Sequence, residues 1–450
     1  MSDGEFVEWI RAATGAVDVQ IERRSGGASR EGYTVDVRDA DGSVRALWLR
    51  ADSGAGPQSD TLYSLRREAG VYRALGTTPL RVARLVAVHP ERDAFLLERI
   101  DGDGRFAAIT DPTQEVAVAT SFMEQMATLH AIDPQALDLP ELGPPTCIRD
   151  HVRAELDEWE AQYRAHDEPD PLLALALAWL RDRMPDDGEW PVVLVQGDTG
   201  PGNFMYRDSE VAAITDWELA HWGDLHDDLG WICVRDTQER FTDLAARFRD
   251  YERFAGRRID PDRLRYFRVL AQARCAIGTR RGLLGRDHRA EVAAHLIFNT
   301  LHQRLLAEAL ADAEGLDLGP TPPLEAAASD ASWAFDVALD DLRENIVPQL
   351  GESFAARRAK GLARLLKYLR EAQRLGPAAE RAERDALSTL LEHEIDDLRA
   401  GRAELCAAID AGGVDLRRII PFCRARADWA NQIVGPAMGA LADRHYAPIE

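Results

Sequence analysis

Two aspartates and an asparagine lie close together in one short stretch of this 450-residue chain, at a spacing that suits phosphoryl transfer. An apolar run, Val192–Val195, leads into the loop Gln196-Gly-Asp-Thr-Gly-Pro-Gly-Asn203, and Asp216-Trp-Glu218 follows after a second apolar run, Val211–Thr215. Moving a phosphoryl group to a hydroxyl requires a carboxylate to accept or orient the hydroxyl proton. It also requires oxygen ligands that hold Mg²⁺ against the phosphates, and a cation for the remaining phosphate charge. Asp198 and Asn203, five positions apart on one loop, can present a base to an acceptor and an amide oxygen to a metal. Gly200 and Gly202 between them permit a tight backbone path. A hairpin through Phe204–Tyr206 and Val211–Thr215 returns Asp216 beside the loop, adding the carboxylate that Mg²⁺ prefers.

The elements that must hold these residues can be read from periodicity. Residues 1 to about 15 read as a helix with Phe6, Val7, Ile10 and Ala13 on one face. Alternating segments at Val17–Arg23, Tyr33–Arg38 and Val44–Arg50 are separated by turn-forming Gly and Asp residues. Residues 60–76 read as a helix and residues 81–88 and 93–99 as two more strands, giving a five-stranded antiparallel sheet with one inserted helix. Helical spacing dominates from about residue 113, interrupted by the β-rich Val192–Asp216. Gly and Pro concentrate in Gly315–Pro323, which reads as a linker. Beyond it, three stripes recur at helical spacing: Phe335–Ile346, Leu362–Ala372 and Leu387–Leu398. These stripes predict a buried helical bundle. The expected division is 1–100 and 101–313 as two lobes, 314–324 as linker and 325–450 as a helical domain.

Composition narrows the function classes. A net charge of −23 argues against binding nucleic acid, whose phosphates it would repel. No run approaches the ~20 apolar residues that span a bilayer, and the N-terminus lacks the basic start of a secretory signal. Five scattered cysteines form neither a disulfide framework nor a metal spacing. The expectation is a cytoplasmic protein with no membrane or nucleic-acid partner. Lys360 and Lys367 are the chain's only lysines, so an arginine must serve wherever earlier residues meet phosphate.

The loop and its hairpin resemble the catalytic and metal-binding segments of aminoglycoside phosphotransferases and related small-molecule kinases of the choline-kinase kind. That pattern is His-Gly-Asp, Asn, Asp-Trp-Glu, Gly-Asp-Pro and Asp-Leu. This chain has Gln196-Gly197-Asp198, Asn203, Asp216-Trp217-Glu218, Gly223-Asp224-Leu225 and Asp228-Leu229. Within that family the chain is most similar to the kinase-like domain associated with acyl-CoA dehydrogenases, through Ala178-Trp179-Leu180 and Asp216–Asp224. The C-terminal part resembles a small uncharacterised helical domain found with such kinases. Gln196 and Leu225 depart from the pattern, replacing histidine and proline; a glutamine amide can still brace the loop.

The resemblance implies an α+β, bilobal, protein-kinase-like fold: a five-stranded antiparallel N-lobe, a mostly helical C-lobe and a C-terminal helical bundle. It implies ATP and Mg²⁺ as cofactors and a small-molecule hydroxyl as acceptor, with a hydroxyacyl-CoA-like metabolite favoured over an aminoglycoside or amino alcohol. It assigns Asp198 as the base and Asn203 and Asp216 as metal ligands. It places Arg50 on nucleotide phosphate with Glu68 as its ion-pair partner, and Glu98 to Ile100 at the adenine hinge. Gly26, Gly27 and Ser29 lie where backbone amides would cover the phosphates, although a plain hairpin turn looks the same. Ile214 fits either the floor of the adenine site or an ordinary strand core. Asp224 and Asp228 read as supports of the loop's backbone, His130 reads as a structural histidine ending a helix, and the acidic Glu155–Glu160 reads as a solvated face. A reading from another class is a catalytically silent, nucleotide-binding scaffold that recruits a partner such as an acyl-CoA dehydrogenase. The C-terminal helices would then serve a protein partner or self-association.

Overall fold

The computed structural model describes residues 3–24, 30–52, 61–285, 291–327, 332–351, 353–412 and 414–449. Its elements begin with α1 (Asp3–Thr14), β1 (Asp18–Arg24), β2 (Glu31–Arg38), β3 (Val44–Ala51), α2 (Leu65–Leu75), β4 (Leu85–Val88), β5 (Ala94–Glu98), α3 (Pro112–His130), α4 (Ile148–Arg164) and α5 (Pro171–Asp182). They continue with β6 (Val193–Val195), β7 (Phe204–Arg207), β8 (Glu210–Ile214), β9 (His221–Gly223), α6 (Leu225–Gln238), α7 (Leu244–Ala255), α8 (Pro261–Leu284) and α9 (Val292–Ala313). The last are α10 (Ser332–Asp341), α11 (Phe354–Leu391), α12 (Leu398–Asp410) and α13 (Leu416–Met438). The architecture is α+β. Two units interleave along the chain: residues up to His151, Asp186–Pro261 and Ile449 form one, and Val152–Pro185 with Asp262–Pro448 form the other.

In the first unit, the five-stranded sheet is antiparallel in the order β1-β2-β3-β5-β4. Side chains on a strand alternate between faces, so Tyr33, Val35 and Val37 of β2 share a face with Leu47, Leu49 and Ala51 of β3. Phe6 and Ile10 of α1 pack on that face, and all these residues are buried. Each large apolar side chain removed from water contributes roughly 1.5–3 kcal/mol, so the pairing register is fixed by the apolar pattern. Arg50 lies between Leu49 and Ala51 and therefore points to the opposite face, where α2 crosses. There Phe95, its partner across the ladder, packs against Tyr72 of α2 with ring centroids 5.8 Å apart. Ser64 caps α2 by accepting from the Arg67 amide at 3.3 Å.

Below the sheet, β7 and β8 form a hairpin in which Phe204 faces Ile214. Phe106, Phe122, Phe204 and Phe241 interlock beneath it, with centroids 4.7 Å apart for Phe122 and Phe204 and 5.2 Å for Phe106 and Phe241. This aromatic core fixes the floor on which the loop 196–203 stands.

The second unit is helical. Ile297, Leu301 and Leu305 of α9 pack against Val434 and Met438 of α13. A buried ion network stands beside this core. Asp170 meets Arg426 at 3.2 Å and Arg280 at 3.4 Å, while Glu383 meets Arg402 at 2.6 Å and Arg426 at 3.1 Å. The apolar stripes read from sequence divide here. Leu387 and Ile395 are buried as expected, but α10 contributes no buried side chain, and Leu362 and Leu369 are 51% and 48% exposed. Of the other two stripes, Leu342 is buried and Phe335, Ala338, Leu339, Leu365, Leu366 and Ala372 are half-buried, while Ile346, Leu362 and Leu369 are exposed.

Candidate active site

The loop 196–203 is held from two sides. From below, the buried carboxylate of Asp228 on α6 accepts from the backbone amides of Gln196 at 2.9 Å and Gly197 at 3.0 Å, and from the Thr199 hydroxyl. His130 donates to Asp228 from Nε2 at 3.0 Å and accepts the Tyr251 hydroxyl at Nδ1 at 2.8 Å, the tautomer that satisfies both partners. From above, Gln196 uses its whole side-chain amide. Its oxygen accepts from the Asp198 amide at 2.8 Å, and its Nε2 donates to the carbonyls of Thr215 at 3.0 Å and Asp216 at 2.6 Å. Glutamine thus ties the loop to the end of the hairpin. Asp216 there adopts a left-handed backbone at φ 59°, a conformation that a non-glycine residue holds only when its surroundings fix it.

Asp198 sits within this brace. Asn203 donates its Nδ2 to the Asp198 carbonyl and to Oδ2, both at 2.7 Å. Arg235 of α6 closes on the same carboxylate, with Nε to Oδ1 at 2.8 Å and Nη2 on Oδ2. Burial pushes the Asp198 carboxyl above its usual range, Arg235 opposes that rise and the neighbouring Asp216 charge adds to it. Two glycines make this closeness possible. At Gly197 (φ 86°) an added Cβ would stand 2.4 Å from the Leu219 carbonyl oxygen, and at Gly200 (φ 143°) it would stand 2.7 Å from Arg235 Cβ.

Arg50 links the sheet to the hairpin. Its Nη1 donates to Glu68 Oε1 at 2.8 Å and to Asp216 Oδ1 at 2.8 Å, and Nη2 lies 3.5 Å from Glu218. Burial disfavours the charged guanidinium, but Glu68, Asp216 and Glu218 outweigh it and hold its pKa well above the ordinary value. Burial pushes the Glu68 carboxyl up to about 8, against the pull of Arg50, and Asp216 and Glu218 push it the same way. Glu68 Oε2 is buried with no hydrogen-bond partner. Asp216 and Glu218 thus face Arg50, and Arg30 lies 3.9 Å from Glu218.

The hard oxygen donors on Asp216 and Asn203 fit a divalent cation. Asn203 spends its Nδ2 on Asp198, and its Oδ1 has no hydrogen-bond partner among the described residues. Among those residues no three His, Cys, Asp or Glu side chains form a metal cage. A Mg²⁺ ion carried by nucleotide phosphates needs only one or two protein ligands, because phosphate oxygens and water complete its shell.

Asp198, Asn203, Asp216, Arg50 and Glu68 thus come together. Gly26, Gly27 and Ser29 lie outside the described residues. Glu98 and Ile100 lie elsewhere on the surface, lining a cavity of about 870 Å³ with Arg99, Arg45 and the turn at 207–210, and none of the five clustered residues lines it. Glu98 pairs there with Arg84. Ile214 is buried between Phe204 and Val82, and its carbonyl accepts the Trp217 indole at 3.3 Å. Arg235 escaped the sequence reading. The signal that marks it is its place seven residues after Asp228, two turns along the same helix face.

With this geometry in view, the comparisons with known proteins define the class. A solved structure from Ralstonia eutropha JMP134, assigned to the aminoglycoside phosphotransferases, superposes with a TM-score of 0.56 at 20% identity, covering 70% of this chain and 99% of that one. The fold is therefore protein-kinase-like. The model of the "Phosphotransferase enzyme family" matches residues 20–267, more than half of the chain, and the chain belongs to that family. Among curated proteins, mouse acyl-CoA dehydrogenase family member 10 is 28% identical over 127 residues, 28% of this chain and 11% of that protein. Rat member 11 is 30% identical over 127 residues, 27% of this chain and 16% of that protein. The match thus spans less than a fifth of either relative. Family and fold support small-molecule kinase activity. Among the described residues, no helix is long and apolar enough to cross a membrane.

Proposed function

We propose that the chain transfers the γ-phosphoryl group of ATP to a hydroxyl of a small molecule, favouring a hydroxyacyl-CoA-like acceptor. The observation that carries this reading is one connected network. Gln196 holds the Asp198 amide and the Asp216 carbonyl, Asn203 holds the Asp198 carboxylate, and Asp216 meets the Arg50–Glu68 pair. In the reaction Asp198 takes the hydroxyl proton as the acceptor oxygen bonds to the γ-phosphorus. The bond from that phosphorus to the β–γ bridging oxygen breaks, and ADP leaves. Arg50 binds phosphate oxygens, a task its fixed charge and planar donor fork suit. Asn203 and Asp216 would hold Mg²⁺, which supplies positive charge against the phosphates. Arg235 keeps the Asp198 carboxylate aimed and moderates its basicity.

The acceptor preference rests on the relatives named as acyl-CoA dehydrogenase family members. Purified protein with Mg²⁺ and γ-labelled ATP, offered hydroxyacyl-CoAs, aminoglycosides and amino alcohols separately, tests both parts. Label appearing on a hydroxyacyl-CoA supports the proposal, and label on another class corrects the acceptor. Bound ATP with no acceptor labelled favours the silent scaffold instead.

A further inference from the structure

Exposed apolar side chains are unevenly spread over this chain. Trp333, Val337, Ile346, Phe354, Leu362 and Leu369 are 39–68% exposed, and they account for six of the eleven large hydrophobics so exposed among the described residues. All six fall on α10, the turn after it and the first half of α11. Those helices pack on each other, Arg370 of α11 meeting Asp336 of α10 at 2.7 Å, so the exposed apolar residues cluster on one pair of neighbouring helices. Clustered exposure of this kind marks an interaction surface, whereas scattered exposure does not.

Charge identifies the partner. Residues 354–374 carry seven basic side chains and one acidic one, within a chain whose net charge is −23. Residues 332–346 carry four acidic side chains and one basic one. Lys360, Arg364 and Lys367 are exposed on α11, and Asp340, Asp341 and Glu344 are exposed on and after α10. The patch therefore holds both signs, sorted onto two neighbouring helices, each with its own exposed apolar residues.

We propose that this face joins two copies of the chain about a two-fold axis, α10 of each lying on the first half of α11 of the other. An isologous contact requires a surface complementary to itself, and a patch with one acidic and one basic apolar helix has that property. A face two helices wide and about 30 Å long offers roughly 600 Å² of flat footprint per copy, close to the ~800 Å² per partner of a standard interface. An anionic lipid surface would attract α11 but repel the acidic residues beside Trp333 and Val337, so a second copy fits better. This proposal is independent of the phosphotransfer reading.

Sedimentation velocity of the whole protein, from about 1 to about 100 μM, tests it by mass action. The expected species is a dimer of twice the 49.9 kDa chain, weakened on raising salt from about 0.05 to 0.5 M. V337E with L362E raises the dissociation constant at least about thirtyfold. Both residues are exposed, so circular dichroism should be unchanged, as should the melting temperature at a concentration where the wild type is also monomeric. K360E with K367E also dissociates the dimer, and adding D340K and E344K restores it. A wild-type monomer throughout, or a dimer indifferent to V337E/L362E, overturns the proposal. So does a monomer that sediments only with phosphatidylserine vesicles, which assigns the face to lipid.

Discussion

Arg235 lies two helical turns beyond Asp228 on α6, and it grips both carboxylate oxygens of Asp198. One helix face therefore fixes the loop twice: Asp228 through the backbone at Gln196 and Gly197, and Arg235 through the side chain of the proposed base. Burial and Asp216 raise the Asp198 pKa while Arg235 restrains it. Replacing Arg235 by glutamine removes the restraint, so the acidic limb of kcat/KM should move to higher pH and kcat should fall roughly 10–100-fold as aim is lost. A pH–rate profile checks both effects. An unmoved limb with a lowered kcat would reduce Arg235 to a structural support.

Gln196 makes three hydrogen bonds with one side chain, and two of them end on the carbonyls of Thr215 and Asp216. Gln196→Ala leaves buried polar groups unpaired and should destabilise the first unit by about 2–4 kcal/mol. Gln196→His, with two ring nitrogens, should recover part of the loss. Denaturant midpoints of the three proteins check this ordering; an alanine variant as stable as wild type would mean that the loop and hairpin are tied by other bonds.

Glu68 gives a pH signature. Its folded carboxyl titrates near 8, above the ordinary glutamate value of 4.5, because burial and the nearby Asp216 and Glu218 disfavour its charge. Between those two values the unfolded chain has released a proton that the folded chain retains. The contribution is therefore full below the lower value and is lost as pH rises through 8. Wild type should lose stability from pH 5 to pH 9 by on the order of 3 kcal/mol more than Glu68→Gln does. Urea unfolding at both pH values measures the difference, and parallel curves would show that Arg50 keeps Glu68 ionised throughout.

These particulars separate what the sequence made legible from what it did not. Alternation in β3 buried Leu47 and Leu49 and so sent Arg50 to the other face, where the inserted helix brought Glu68. Glycine spacing and the hairpin placed Asn203 and Asp216 beside Asp198. Arg235 was hidden because it reaches Asp198 across 37 positions, and local patterns do not report such contacts. In the stripes at 335–346 and 362–372 most residues are buried or half-buried, but Ile346, Leu362 and Leu369 stay exposed, because periodicity shows which face avoids water and not how far a neighbour covers it. Glu98 and Ile100 rest on resemblance alone, and they line a cavity that none of the five clustered residues lines.

Asp216 is close enough to Asp198 to disfavour its charge, yet their partners differ: Asp198 is held by Asn203 and Arg235, and Asp216 by Arg50. The difference predicts separable losses. Asp198→Asn keeps the shape of the side chain but removes the proton acceptor, so turnover should fall roughly 10²–10⁴-fold with Mg·ATP affinity within a few-fold of wild type. Asp216→Ala removes the carboxylate beside Arg50 and Asn203 and should weaken Mg·ATP binding by about 1.5–3 kcal/mol, tenfold or more. Calorimetric titration of each variant with Mg·ATP, alongside turnover, distinguishes the two. If Asp198→Asn lost nucleotide affinity while Asp216→Ala kept it, the two carboxylates would have exchanged roles, with Asp198 on the metal side and Asp216 facing the acceptor.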